Sequence, residues 1–185
     1  MRRYLRSLLT VGLAVGCLAG GGTRAAGDDA ALQAKLDARV QTLKAWAGAP
    51  ALVAAVKAVN EKVPPQYAEM TEPRWTELSV LDPFVRGFTQ NAAAVYLKTS
   101  KAAEVTEAFV SAANGMKVAF LSKTTSWNHK GKPKHDVPMA GKTWQGPIEV
   151  DKSTGQQQIQ IAVPVLDGGK PIGSLVVGLA ISKLR

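Results

Sequence analysis

The last third of the chain constrains the fold most. Ile159, Ile161, Val163 and Val165 alternate with other residues, Asp167, Gly168 and Gly169 supply a turn, and Leu175, Val177, Leu179 and Ile181 alternate again, with Gly178 and Ala180 small on the opposite face. Period-two patterning on both sides of a glycine turn predicts a long antiparallel hairpin. The register places Ile159, Ile161, Val163 and Val165 on one buried face. On that expectation an aspartate at Ile161 or Val163 unfolds the domain, whereas Gln160→Glu is mild.

A second hairpin precedes it, with Glu107 to Ala112 and Met116 to Ser122 joined at Asn114-Gly115, and a further strand is expected at Ile148 to Val150. Before Val105 the spacing is helical. After Asp28 and Asp29, Leu32, Leu36, Val40 and Leu43 mark an amphipathic helix. Gly48 and Pro50 interrupt it, and a second helix runs through Leu52, Val53, Val56 and Val59 to about Asn60, ended by Pro64 and Pro65. Glu72 to Lys98 reads as two short helices divided at Pro83. Helices followed by about five antiparallel strands define an α+β domain, its long N-terminal helix and shorter helices covering the sheet.

The first residues bear on compartment. Arg2, Arg3 and Arg6 precede an apolar run from Leu8 to Leu18, the pattern of a secretory signal peptide and too short to span a membrane. A small-residue site at Ala26 makes residues 1–26 the leader and 27–185 a single domain; a lipobox ending at Cys17 is the alternative cleavage. Cys17 is the sole cysteine, so cleavage at Ala26 leaves neither a disulfide nor a thiolate site.

Of the net charge of +9, Arg2, Arg3, Arg6 and Arg24 belong to the leader, and much of the rest is local. Lys123, Lys130, Lys132, Lys134 and Lys142 face only Asp136 between Leu121 and Lys142. For an exported protein this argues against nucleic acid and for anionic small molecules or a membrane surface. A solvated lysine-rich loop is the plainer alternative. The segment from Trp127 to Gly146 is too long to be idle, and Trp127 and Trp144 argue that it is ordered.

Catalytic patterns are missing. No nucleophile elbow, HExxH helix or glycine-rich phosphate loop is present, so an enzyme is not expected. His129, His135 and Asp136 form the one imidazole-carboxylate group, but their spacing matches no zinc motif and no metal or cofactor is expected.

Four stretches, "GAPALVAAVKAVN", "VTEAFVSAANGMKVA", "VDKST" and "IQIAVPVLDGGKPIGSLVVGL", resemble the single-Cache (PDC-type, PAS-like) extracellular sensor domains. The resemblance implies a ligand pocket between a curved sheet and its covering loop and helices, and places Trp127, His129, Lys134, Trp144 and Asp151 near it. The family's acidic loop is replaced here by "TTSWNHKGKPKHDVPMAGKTWQG", so ligand identity is not inherited. The expectation is a freestanding periplasmic module. It binds a small anionic or zwitterionic metabolite, signals through a membrane-bound kinase or chemoreceptor, and can form a homodimer through the N-terminal helix. The alternative is an envelope docking module without a ligand, and each tryptophan and Asp151 has a plainer role as loop anchor or turn cap.

Overall fold

The computed structural model describes residues 22–150 and 155–184, with side chains in the first helix from Asp29 onward. The expected leader therefore lies largely outside the described residues. Helix α1 spans Gly22–Ala47 and α2 spans Pro50–Glu61 with Pro50 in its first turn, where the missing N–H costs nothing. Between Pro65 and Ser100 there are four short helices, α3 (Pro65–Ala68), α4 (Glu72–Glu77), α5 (Pro83–Gln90) and α6 (Ala92–Ser100).

The expectation of two helices over Glu72 to Lys98 is corrected to three. Caps explain the extra break: Thr71 Oγ1 accepts the Arg74 N–H, Asp82 Oδ1 the Phe84 N–H and Asn91 Oδ1 the Ala94 N–H, so each polar residue starts a helix of its own. Asn91 also donates to the Val118 carbonyl at 2.8 Å, which fastens the start of α6 to the sheet.

Strands β1 (Val105–Ala112), β2 (Lys117–Phe120), β3 (Trp144–Val150), β4 (Gln157–Asp167) and β5 (Lys170–Ala180) form one antiparallel sheet in the order β2-β1-β5-β4-β3. The closing hairpin turns at Gly168 and Gly169, both at positive φ, a conformation that glycine adopts without a Cβ clash. Helix α7 (Pro133–Met139) interrupts the segment read as a long loop, and β3 begins at Trp144, earlier than the expected Ile148.

Cross-strand partners share a face, so the pairing sorts every strand residue. Ile159, Ile161 and Val163 pair with Leu179, Val177 and Leu175, and the last two pair in turn with Ala108 and Val110. This apolar face lies under α1 and α2. Leu32, Leu36 and Leu43 of α1 and Leu52 and Val56 of α2 are buried in the same core, and a Cβ on Gly173 would lie 2.9 Å from Val56 Cγ1.

The opposite face is covered as well, which corrects the expectation for Gln160. That residue is 7% exposed; its Nε2 donates to Glu107 Oε1 at 2.5 Å and its Oε1 accepts from Lys134 Nζ at 2.9 Å. A glutamate there would set a second carboxylate against Glu107 and would not be mild.

Candidate functional site

The second face of the sheet carries the chemistry, and the register arranges it in three rows. Glu107 and Gln160 flank Gly178 across β1, β5 and β4. Glycine at the centre of that row is required by the contact across it: a Cβ on Gly178 would lie 2.8 Å from Glu107 Cγ and 3.0 Å from Gln158 Oε1. The next row reads Phe120, Phe109, Val176, Ala162 and Trp144. The third brings together Lys117, Ser111 and Ser174.

Phe109 is the centre of this face. The Lys117 ammonium stands 4.3 Å from its ring centroid, the Lys134 ammonium 5.9 Å, and the His129 ring packs on it at 4.6 Å. Lys117 also contacts His129 Nδ1. Two lysine amines stand over one ring, with an imidazole packed on it, and the aromatic quadrupole favours positive charge there.

Helix α7 closes over this floor. Pro133 in its first turn sets the backbone, and the Asp136 carboxylate accepts the Gly131 N–H at 3.1 Å, holding the turn before it. His135 reaches down so that its Nδ1 meets Ser174 Oγ at 2.8 Å while its Nε2 faces the Ala113 carbonyl at 3.3 Å. The carbonyl accepts only, so Nε2 carries the proton and Nδ1 accepts from the serine. Lys134, the residue before His135 in the same turn of α7, spans to Gln160.

The electrostatics are one-sided. Lys117 is fully buried and, among the described residues, has no carboxylate within ion-pairing distance. Burial, then repulsion from Lys132 and Lys134, pushes its amine well below the usual lysine range, with Glu72 and Glu107 opposing. Burial foremost, then Lys117, Lys132 and Lys134, drives His129 down to about 2, so its ring is neutral. Lys134 and His135 are lowered too, with burial the leading cause in both. Ser111 Oγ, in register with Lys117, is buried without a hydrogen-bond partner among the described residues.

The residues expected to bind ligand separate. His129 and Lys134 meet around Phe109. Trp144 lies half-buried on the same face in β3, next to Ala162, its ring over Gly146. Trp127, 3% exposed, packs among Tyr67, Trp75, Phe84 and Phe88 at centroid distances of 5.2 to 5.8 Å. Its N–H and that of Asn128 are both accepted by the Glu72 carboxylate, at 3.0 and 2.9 Å. Asp151 lies outside the described residues. Sequence reasoning missed Phe109, Lys117, Glu107, Gln160 and Ser174; the signal for the last four was polar residues alternating within apolar strands, visible only once both faces count as buried.

Among the described residues no group of three or more His, Cys, Asp or Glu side chains is placed to hold a metal ion. Fold and face together describe an α+β domain whose sheet carries a basic, helix-covered floor. No family model matches the chain, and no curated protein sequence matches it. Among solved structures it is similar to ligand-binding sensor domains. The ligand-binding domain of the Pseudomonas aeruginosa PAO1 amino acid chemoreceptor PctC, in complex with GABA, has 13% identity and a TM-score of 0.49 over 86% of this chain and 59% of that one. The sensor domain of the V. cholerae histidine kinase DctB has 18% identity and a TM-score of 0.42 over 86% and 57%. The ligand-binding domain of the Campylobacter jejuni chemoreceptor Tlp3, in complex with 4-methylisoleucine, has 15% identity and a TM-score of 0.42 over 85% and 58%. The chain thus spans less than two thirds of the length of each.

Proposed function

We propose that the protein is a periplasmic sensory domain that binds a small anionic or zwitterionic metabolite on the face around Phe109 and passes occupancy to a membrane-bound kinase or chemoreceptor. One observation carries the reading: the Lys117 amine is buried without a carboxylate partner among the described residues, with Lys134, Lys132 and a neutral His129 around it. Burial disfavours the charged form of this amine, and an anion that enters beside it restores the ammonium and pairs with it. The orphaned Ser111 hydroxyl adds an unspent donor beside it. Glu107, held by Gln158 and Gln160, supplies one carboxylate at the other end of the same floor, where the ammonium of a zwitterion fits. The site is read as one for binding rather than for catalysis.

The arginine-flanked leader supports export, and no helix among the described residues is long and apolar enough to cross a membrane. The apolar side of α1 packs on its own sheet through Leu32, Leu36 and Leu43, so a homodimer through this helix would pair its polar side.

A thermal-shift screen of monocarboxylates, dicarboxylates, amino acids and inorganic phosphate tests the site. A compound at about 100 times its Kd should stabilise the wild type by about 2.7 kcal/mol. The shift should vanish in Lys134→Gln and in Lys117→Met. A shift retained in both variants places the ligand elsewhere, and a screen without any shift favours the docking-module reading.

A further inference from the structure

The Lys117 amine has a chemistry that pairing with an anion does not use. It is fully buried, its Nζ stands 4.3 Å from the Phe109 ring centroid and touches His129 Nδ1, and the Lys134 Nζ is 5.9 Å from the same centroid. Among the described residues none of Lys117, Lys132 and Lys134 has a carboxylate within ion-pairing distance. Burial first, then Lys132 and Lys134, favours the free amine of Lys117 over its ammonium. A lysine desolvated beside other cations is an activated nucleophile, because its nitrogen lone pair is free to attack.

The surroundings decide which electrophile suits it. An aldehyde or ketone would give an imine that is cationic when protonated, and the neighbouring lysines disfavour a cation there. Carbon dioxide gives an anion instead. The Nζ lone pair bonds to the carbon, one C=O electron pair moves onto oxygen, and an N–H proton leaves to water or bicarbonate, so that amine and carbon dioxide become a carbamate and a proton. The carbamate nitrogen keeps one hydrogen, which the neutral ring of His129 can still accept.

We propose that Lys117 is a site of reversible modification by carbon dioxide, which adds to its amine as a carbamate held by Lys134, Lys132 and Ser111. The two carbamate oxygens enter a region short of negative charge. Lys134 and Lys132 supply the cations, and the Ser111 hydroxyl, in register with Lys117 and buried without a hydrogen-bond partner among the described residues, supplies the spare donor. Carbon dioxide also suits a closed site, being uncharged and only three atoms long. It needs no more than the local openings that folded proteins make, and the flexible four-carbon lysine stem lets the amine shift as the group is added. The inference does not rest on the metabolite reading, although a metabolite carboxylate seated there would compete for the same amine.

Carbon-13 NMR of the full folded protein in labelled bicarbonate at pH 7 tests the assignment. A carbamate resonance is expected there, where surface lysines with ordinary values of about 10.4 stay protonated. Alkylating the carbamate to its stable ester with a trialkyloxonium salt, followed by peptide mass mapping, should put the label on Lys117. The resonance should be lost in Lys117→Met. Ser111→Ala should weaken the affinity for carbon dioxide about fivefold, the loss of one hydrogen bond. Lys134→Gln should weaken it further, and Lys142→Gln should leave it unchanged. No label on Lys117 in the wild type, or an undiminished resonance in a folded Lys117→Met protein, overturns the site. Undiminished affinity in Ser111→Ala overturns the role given to the hydroxyl. A carbamate in a protein that no metabolite stabilises would leave this inference standing and remove the metabolite reading, and a metabolite shift without a carbamate would do the reverse.

Discussion

The two faces of the one sheet use the same strands in opposite ways. Under α1 and α2, Ile159, Ile161, Val163, Leu175, Val177 and Leu179 interlock with helical leucines and valines, and each pays for its order by leaving water. Under α7, the alternate residues of those strands are Gln160, Gly178, Ser174, Glu107 and Ser111, facing Lys117, Lys134 and two histidines. Both faces are closed and both bury apolar residues, Phe109, Val176 and Ala162 on the second, but the first is the more uniformly apolar. The other holds buried polar groups whose desolvation is offset incompletely, the arrangement expected where a fold keeps a face for something other than packing.

The largest effect should come from the apolar face. Val163→Asp buries a carboxylate without a partner and should cost about 4 kcal/mol or more, enough to unfold the domain in urea titration. A loss below about 1 kcal/mol would show that the register of β4 is wrong.

Next comes Trp127→Ala, at about 3–5 kcal/mol, since the indole fills the centre of an aromatic cluster. This outcome is the opposite of what a purely ligand-binding tryptophan would give. A melting temperature within a few degrees of wild type would return Trp127 to the list of binding residues.

Acid should act through the second face. His129 has a folded pKa of about 2 against an ordinary value of 6.5, so below pH 6.5 the unfolded state binds the extra proton and stability falls as pH falls, down to about 2. Between pH 7 and pH 5 this group alone accounts for about 2 kcal/mol. His135, also lowered, acts in the same direction. Denaturation curves across this range check it: His129→Gln should flatten the profile, and a wild type equally stable at pH 5 and pH 7 would mean that the ring is not buried neutral.

Smallest, and opposite in sign to the first, is Lys117→Met. Removing a buried amine that lacks a carboxylate partner should leave the free protein as stable or raise it by about 1 kcal/mol, while anion binding is lost. The amine's folded pKa is depressed, so its stability contribution is present above its unfolded value of about 10.4 and declines as pH falls; the substitution should flatten that alkaline rise. Destabilisation by several kcal/mol would make Lys117 a structural residue and equate the two faces.

Much of the framework could be read directly. The alternation of Ile159 to Val165 and of Leu175 to Ile181 fixed the closing hairpin because side-chain direction in a strand repeats every two residues, and glycines marked its turn. Asn114 and Gly115 did the same for β1 and β2. The amphipathic spacing from Leu32 to Leu43 found α1. Three-helix division of Glu72 to Ser100 was less legible, although Thr71, Asp82 and Asn91 were the signals in hindsight, each a polar cap of the kind that starts a helix. Helix α7 hid behind lysines and glycines, its first-turn Pro133 the one cue.

The site was legible only in its lysine-rich loop. His129 and Lys134 stood out because charge and imidazole cluster locally in the chain, whereas Lys117, Glu107 and Gln160 lie in different strands, and only pairing across the sheet makes them neighbours. Which face each polar strand residue takes follows from its own parity in the strand, a property of local geometry that sequence determines. Whether that face meets water or a second layer does not. Tertiary structure decided that by laying α7 over the sheet, which turned Lys117 and Gln160 from surface residues into buried ones, and by gathering Trp127 into the aromatic core, because burial is a property of what packs from the far side and not of the strand itself.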